Sequence, residues 1–208
     1  MLKFFYKFIF IFIFILLLSA TKILWAGILL EPFLGYALSG SVDQNINNTP
    51  FTWDYTGPAL GARVGYYNTG IMIGFHFDLI NETWNGTGNK ISEINETPQK
   101  LRGENVGIFF GYQMPIPVRL WSTYYISDKY LKKDDEGQYS NGDAYLGMGF
   151  SFGVGYVFWG RMATNLEYRS FILDYVRIAS DQGTYVLDNG REIILSEIFF
   201  SVSYPFTF

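Results

Sequence analysis

There is no cysteine among the 208 residues. That excludes disulfides, thiolate metal sites and cysteine nucleophiles. There is one histidine, His76, so motifs built on two histidines are excluded as well. Charge is scarce, at 16% of residues against roughly 25% in an average soluble domain. Long apolar runs are missing too, apart from one at the N-terminus. What is abundant is aromatic side chain, at 20%, and glycine, at 22 residues.

The N-terminus reads "MLKFFYKFIFIFIFILLLSATKILWAG". Lys3 and Lys7 precede an apolar run from Phe8 to Leu18, with Ser19 and Ala20 after it. This is the order of a secretory signal peptide, and the run is shorter than the roughly 20 residues of a spanning helix. Residues 1–26 are therefore expected to be a cleaved signal. Cleavage after Ala20 and after Ala26 both fit, and Ala26 is preferred because a strand pattern begins straight after it. Without residues 1–26 the chain holds 12 basic and 19 acidic residues, a formal charge of −7. A nucleic-acid partner would want a basic surface, so none is expected. An exported chain of this kind is either soluble or a membrane barrel, the other structure that satisfies its backbone inside lipid.

From residue 27 onward the hydropathy has a period of two, the signature of strands. The sixth run, "LGMGFSFGVGYVF", is the clearest. Met148, Phe150, Phe152, Val154 and Tyr156 alternate with Gly147, Gly149, Ser151, Gly153 and Gly155. In the third run Ile71, Ile73, Phe75, Phe77 and Leu79 oppose Met72, Gly74, His76 and Asp78. The last run, "IILSEIFFSVSYPFTF", sets Ile198, Phe200, Val202, Tyr204, Phe206 and Phe208 against Glu197, Phe199, Ser201, Ser203 and Thr207.

Eight such strands are expected. Long polar segments follow the odd ones, at 40–55, 81–100, 131–143 and 174–191. Short turns follow the even ones, at 67–70, 114–117 and 159–162. In the last long segment, Asp188-Asn189-Gly190 between two β-prone runs reads as a hairpin turn. The fold expected for residues 27–208 is all-β, an eight-stranded antiparallel up-and-down transmembrane β-barrel. A soluble barrel would be apolar inside and polar outside. Here the bulky apolar face is unbroken, while the other face carries glycine, serine and the strand charges. Such a face suits a narrow polar lumen, with the bulky face against lipid. Tyr66, Tyr112, Tyr156 and Trp159 fall at the turn end, where an aromatic girdle belongs. Pro205 is expected to face inward near a strand end, where a missing ladder bond is tolerable.

The C-terminal "SYPFTF", the first strand "LEPFLGY", the glycine-rich sixth strand and "NLEYR" together resemble the small eight-stranded outer-membrane barrels of Gram-negative bacteria, the OmpA/OmpX/OmpW-like group. The resemblance implies residence in the bacterial outer membrane, lipid contact and recognition by the outer-membrane assembly machinery. It also implies that Tyr204, Phe206 and Phe208 are part of the signal that machinery reads. Members of such families include pores, structural proteins, adhesins and enzymes.

The inward charges expected are Glu31, Arg63, His76, Asp78, Arg119, Glu167, Arg169 and Glu197. Their mixed sign favours mutual pairing over an ion-selective ring of one sign. Glu31 and Arg63 are expected side by side on neighbouring strands, with Glu167 and Arg169 nearby. An eight-stranded barrel is only just wide enough for its own side chains, so a filled lumen and a monomer are expected. His76 and Asp78 share a face and suit acid–base work. No nucleophile motif accompanies them, so they are read as members of the lumenal network. No catalytic residue, metal set or cofactor is assigned. "GMGFSFGVG" has the spacing of a strand face and lacks the lysine and helix of a phosphate loop. "LKKDDEGQ" (131–138) reads as a solvated loop ahead of a calcium site. The sequons at Asn47, Asn81, Asn85 and Asn95 are polar loop composition in a bacterial protein. Trp53, Tyr55 and Trp84 fall in the long segments and mark either a binding surface or the outer membrane interface. The functional expectation is a non-enzymatic outer-membrane barrel with a structural or surface-interaction role. The alternatives are a narrow channel for small solutes or hydrophobic compounds, and a barrel enzyme acting on lipid or peptide.

Overall fold

The computed structural model describes residues 27–46, 49–87, 98–132, 143–158, 161–179, 183–186 and 192–208. Residues 1–26, the segment expected to be a cleaved signal, lie outside them. The described chain is strand almost throughout: β1 (Gly27–Ile46), β2 (Thr49–Asn68), β3 (Ile71–Thr87), β4 (Gln99–Gln113), β5 (Val118–Lys132), β6 (Asp143–Phe158), β7 (Met162–Ala179), β8 (Gly183–Val186), β9 (Glu192–Ser203) and β10 (Phe206–Thr207). Each strand pairs antiparallel with the next from β1 to β7. The eighth wall is β9, with β8 above it on the same edge of β7 and β10 below. Because β9 also pairs with β1, the sheet closes. This is the eight-stranded antiparallel transmembrane barrel.

The side-chain alternation decides which face meets lipid. Leu34, Tyr66 and Phe152 are 67%, 60% and 61% exposed. They belong to a belt that continues on every wall, including Ile71, Ile73, Phe75, Phe77 and Leu79 of β3. A water-soluble monomer rarely exposes more than a few hundred Å² of contiguous apolar surface. A belt that encircles the molecule needs hydrocarbon around it. At the turn end, Tyr66, Tyr112, Tyr156 and Tyr204 all point outward. The tightest turn there, Thr69-Gly70, has both residues at positive φ (46° and 92°). That twist matches the right-handed twist of the flanking strands.

The strands run further than their apolar pattern implies. β1 and β2 have 20 residues each, whereas a tilted strand needs about 9–11 to cross the hydrocarbon. Most of segment 40–55 is therefore strand, and only residues 47–48 separate β1 from β2. Strand also reaches into the other long segments, as far as Thr87, from Gln99, to Lys132, from Asp143 and to Ala179. The physical reason is that ladder hydrogen bonds do not depend on lipid. Beyond the membrane the outer face is free to become polar, so the apolar alternation stops while the strand continues. The connection from β7 to β8 falls at 180–182, where Ala179 pairs with Gly183. The expected hairpin turn at 188–190 lies outside the described residues, as do residues 133–138 of the charged run. At the C-terminus, Pro205 is half-buried and separates β9 from β10.

Two irregularities change the phase of the alternation. In β1 the register shifts between Ala37 and Gly40, so Leu38 and Ser39 both face out. In β5 it shifts between Tyr125 and Asp128, so Ile126 and Ser127 both face out and Asp128 turns in.

Candidate functional site: the barrel interior

Each charge expected inside is inside and buried: Glu31, Arg63, His76, Asp78, Arg119, Glu167, Arg169 and Glu197. Glu31 and Arg63 are direct ladder partners, with Nη1 of Arg63 3.2 Å from the Glu31 carboxylate. Arg63 also donates to Glu167 at 3.2 Å and, through Nε, to Nδ1 of His76 at 3.3 Å. With Nδ1 accepting, the ring proton sits on Nε2, which donates to Asp78 at 2.8 Å. Both ring nitrogens of His76 are thus committed.

Two further arginines complete the web. Arg119 reaches Glu31, Oδ1 of Asn165 at 2.6 Å and the Ser203 hydroxyl at 2.8 Å. Arg169 lies 3.2 Å from Asp78, 3.2 Å from Glu197 and 3.5 Å from Glu167. Glu167 additionally accepts from Ser151 at 2.6 Å. These bonds connect side chains on β1, β2, β3, β5, β6, β7 and β9. They run across the lumen as well as along the wall.

Aromatic rings fill the space around the guanidinium groups. Arg63 lies 4.5 Å and Arg119 5.3 Å from the Trp121 ring centre, and Arg169 lies 3.6 Å from that of Phe199. Cations over π faces gain most when desolvated. The glycines of the inner face make room for these rings. A Cβ on Gly153 would strike the Trp121 indole, and one on Gly35 would strike the Phe199 ring. Gly61 stands in the same relation to Phe33.

The interior is not polar throughout, and here the structure corrects the reading of a polar lumen. Leu29, Met72 and Phe109 form an apolar layer at the turn end, with Tyr67 against it. A larger apolar cluster lies at the opposite end, and includes Trp84, Leu101, Tyr130, Phe171, Leu173 and Leu195. Tyr55 and Trp84, expected in loops, are strand residues that point inward and are buried. They face each other in register on β2 and β3, with ring centres 5.9 Å apart. Tyr55 donates to Glu197 at 3.3 Å, and Nε1 of Trp84 donates to Glu82 at 2.6 Å. Trp53 is partly buried against the same cluster.

Two buried acids were not among the expected charges. Glu82 lies in a segment read as loop, and Asp128 is turned inward by the β5 bulge. Strict alternation from Tyr125 would place Asp128 outside, so only the bulge itself could have signalled it. Among the described residues, no group of three or more acid or histidine side chains is placed to hold a metal ion.

No family model matches the chain, and no curated protein matches it in sequence. Solved structures do match its shape. The neisserial surface protein NspA superposes with a TM-score of 0.53 at 12% identity, over 87% of this chain and 99% of that one. AlkL, an outer-membrane protein studied in lipid bilayers, gives 0.51 at 11% identity, over 88% and 91%. Ail, the attachment invasion locus protein of Yersinia pestis, gives 0.50 at 11% identity, over 86% and 99%. The fold is therefore that of the small outer-membrane β-barrels.

Proposed function

We propose that this protein is a monomeric, non-enzymatic barrel of the bacterial outer membrane. Its lumen is filled by its own side chains, and its work is done by the parts that project beyond the lipid. The observation that carries this reading is the burial of the trans-lumen arginines: Arg63, Arg119 and Arg169 are 2%, 2% and 0% exposed. A water-filled pore would leave such groups hydrated. Apolar side chains lie on both sides of the charged layer, which opposes the passage of ions and polar solutes. Catalysis by His76 and Asp78 is disfavoured by complete burial of the ring and by the engagement of both its nitrogens. The test is single-channel recording of the refolded protein in planar bilayers. Silent membranes are expected at protein levels where a porin conducts. Steady, protein-dependent ionic steps would replace this reading with that of a narrow channel.

A further inference from the structure

The acids of the lumen fall into two unequal groups. Glu31 and Glu167 are matched by Arg63 and Arg119. The remainder, Asp78, Glu82, Asp128 and Glu197, have Arg169 as the one arginine bonded to any of them among the described residues.

The shortage is sharpest along one row of the inner wall. Asp78, Asn105 and Asp128 are successive ladder partners on β3, β4 and β5, and all three are buried. Neighbours in such a row stand about 5 Å apart on the same face. Asn105 therefore has a carboxylate on either side. An amide side chain has one donor edge and one acceptor edge. Nδ2 donates to Asp78 at 2.7 Å, which leaves Oδ1 for the Asp128 side. Oδ1 of Asn105 and both carboxylate oxygens of Asp128 have no hydrogen-bond partner in the protein. Flipping the amide does not help, because the acceptor edge would then face Asp78. One acceptor pair stays unbridged in either orientation, and unbridged buried acceptors are costly.

Further unpartnered groups lie nearby. Oε1 of Glu82, an acceptor, and the Tyr130 hydroxyl, which can donate or accept, are also buried without a partner. Asp78 from β3, Glu197 from β9 and Arg169 from β7 act electrostatically on Asp128. Tyr130 is in turn coupled to Glu82, Glu197 and Asp128. Tyr55 of β2 faces two of these acids, Glu197 and Glu82.

We infer that the gap between Asn105 and Asp128 is a binding site for one small monovalent cation, either a proton or an alkali-metal ion. Either would bridge the two facing acceptors and offset one excess charge. A divalent ion is disfavoured, since these oxygens do not form an acid cage. The site needs neither a conducting nor a closed lumen, so it stands apart from the proposed function.

The test is thermal unfolding of the lipid-reconstituted protein at constant ionic strength, across neutral to alkaline pH. Sodium, potassium and N-methylglucamine chlorides are compared. In N-methylglucamine, raising the pH is expected to lower the Tm of the parent by on the order of 3–5 °C. Rescue by sodium or potassium identifies an alkali ion. No rescue, with a carboxylic-acid carbonyl band in the infrared that disappears in Asp128→Asn, identifies a proton. Asp128→Asn provides a donor to Asn105 without the charge and should make Tm insensitive to both variables. Asp128→Ser, which retains a hydroxyl donor, serves if Asp128→Asn does not fold. A parent insensitive to both pH and alkali ion overturns the inference. So does a response that survives unchanged in the variant.

Discussion

Arg63 shows how a residue's role depends on the number of its partners. As neighbours in sequence pattern, Glu31 and Arg63 read as an ion pair, and removing both halves of a pair is milder per charge than removing one. In the folded barrel Arg63 also holds Glu167 and His76, and Glu31 also holds Arg119. Arg63→Ala is expected to cost about 3–5 kcal/mol, the usual penalty for stranding a buried charge. Adding Glu31→Ala should not restore the loss, because Arg119 then loses its carboxylate. Urea midpoints in detergent decide this, and a double variant as stable as the parent would reduce the web to an isolated pair. A second prediction concerns Gly153. Trp121 lies against it and under two guanidinium groups, so the indole has little freedom to retreat. Gly153→Val is expected to destabilise by about 1–3 kcal/mol through overpacking, read from the same midpoints. Gly153→Ala should lie between the two.

Among the elements, the short β10 has a role out of proportion to its length. Leu29 pairs with Thr207 and Leu30 with Phe206, and the Phe208 and Ile28 backbones exchange hydrogen bonds at 3.1 Å. The terminus is thus tied into the seam that closes the barrel. Outside the seam, Phe206 and Phe208 stack with ring centres 6.4 Å apart, and Phe208 is 78% exposed. Two carboxylates placed there would face hydrocarbon. The Phe206→Asp, Phe208→Asp double variant is therefore expected to fail in outer-membrane assembly and to be degraded. A heat-modifiable barrel in outer-membrane fractions of that variant would contradict this. The strand extensions carry an orientation prediction. Asn85, exposed on the far part of β3, should lie outside the cell and Asn68, beside the Thr69-Gly70 turn, inside. Single cysteines at the two positions, treated with an impermeant maleimide on intact cells, report this. Labelling at 68 and not at 85 would invert the barrel.

At the scale of the whole molecule, the barrel is proposed to be a filled cylinder, with an apolar layer at the turn end, a charged layer, and an aromatic cluster beyond it. Eight strands leave space for side chains and little else. Charge in the middle is held at a desolvation cost that the cross-links offset. If the filling is what stops conduction, hollowing should permit it. Truncating Trp121, Tyr125 and Phe199 together to Ala removes three buried rings from the core of the cylinder. The variant is expected to conduct in planar bilayers where the parent is silent. A folded variant that remains silent would place the barrier in the remaining layers.

The number of barrel strands, their antiparallel order, the lipid-facing side and the eight inward charges were all legible in the sequence. Lipid imposes a strict rule on every second residue, and glycine, serine and charge opposite bulky apolar residues mark the inside. Past the membrane edge water accepts either pattern, so β1, β2 and β3 continue unannounced and carry Tyr55, Glu82 and Trp84 inward. Asp128 was hidden for another reason: a one-residue register shift in β5 reverses the face of everything after it. The partners of each charge are a third case. Glu31 and Arg63 meet across one ladder and so follow from alternation. Arg169 with Asp78, and Arg119 with Glu31, meet across the lumen. Those contacts exist only because the sheet closes, which brings walls far apart in sequence within reach of one another.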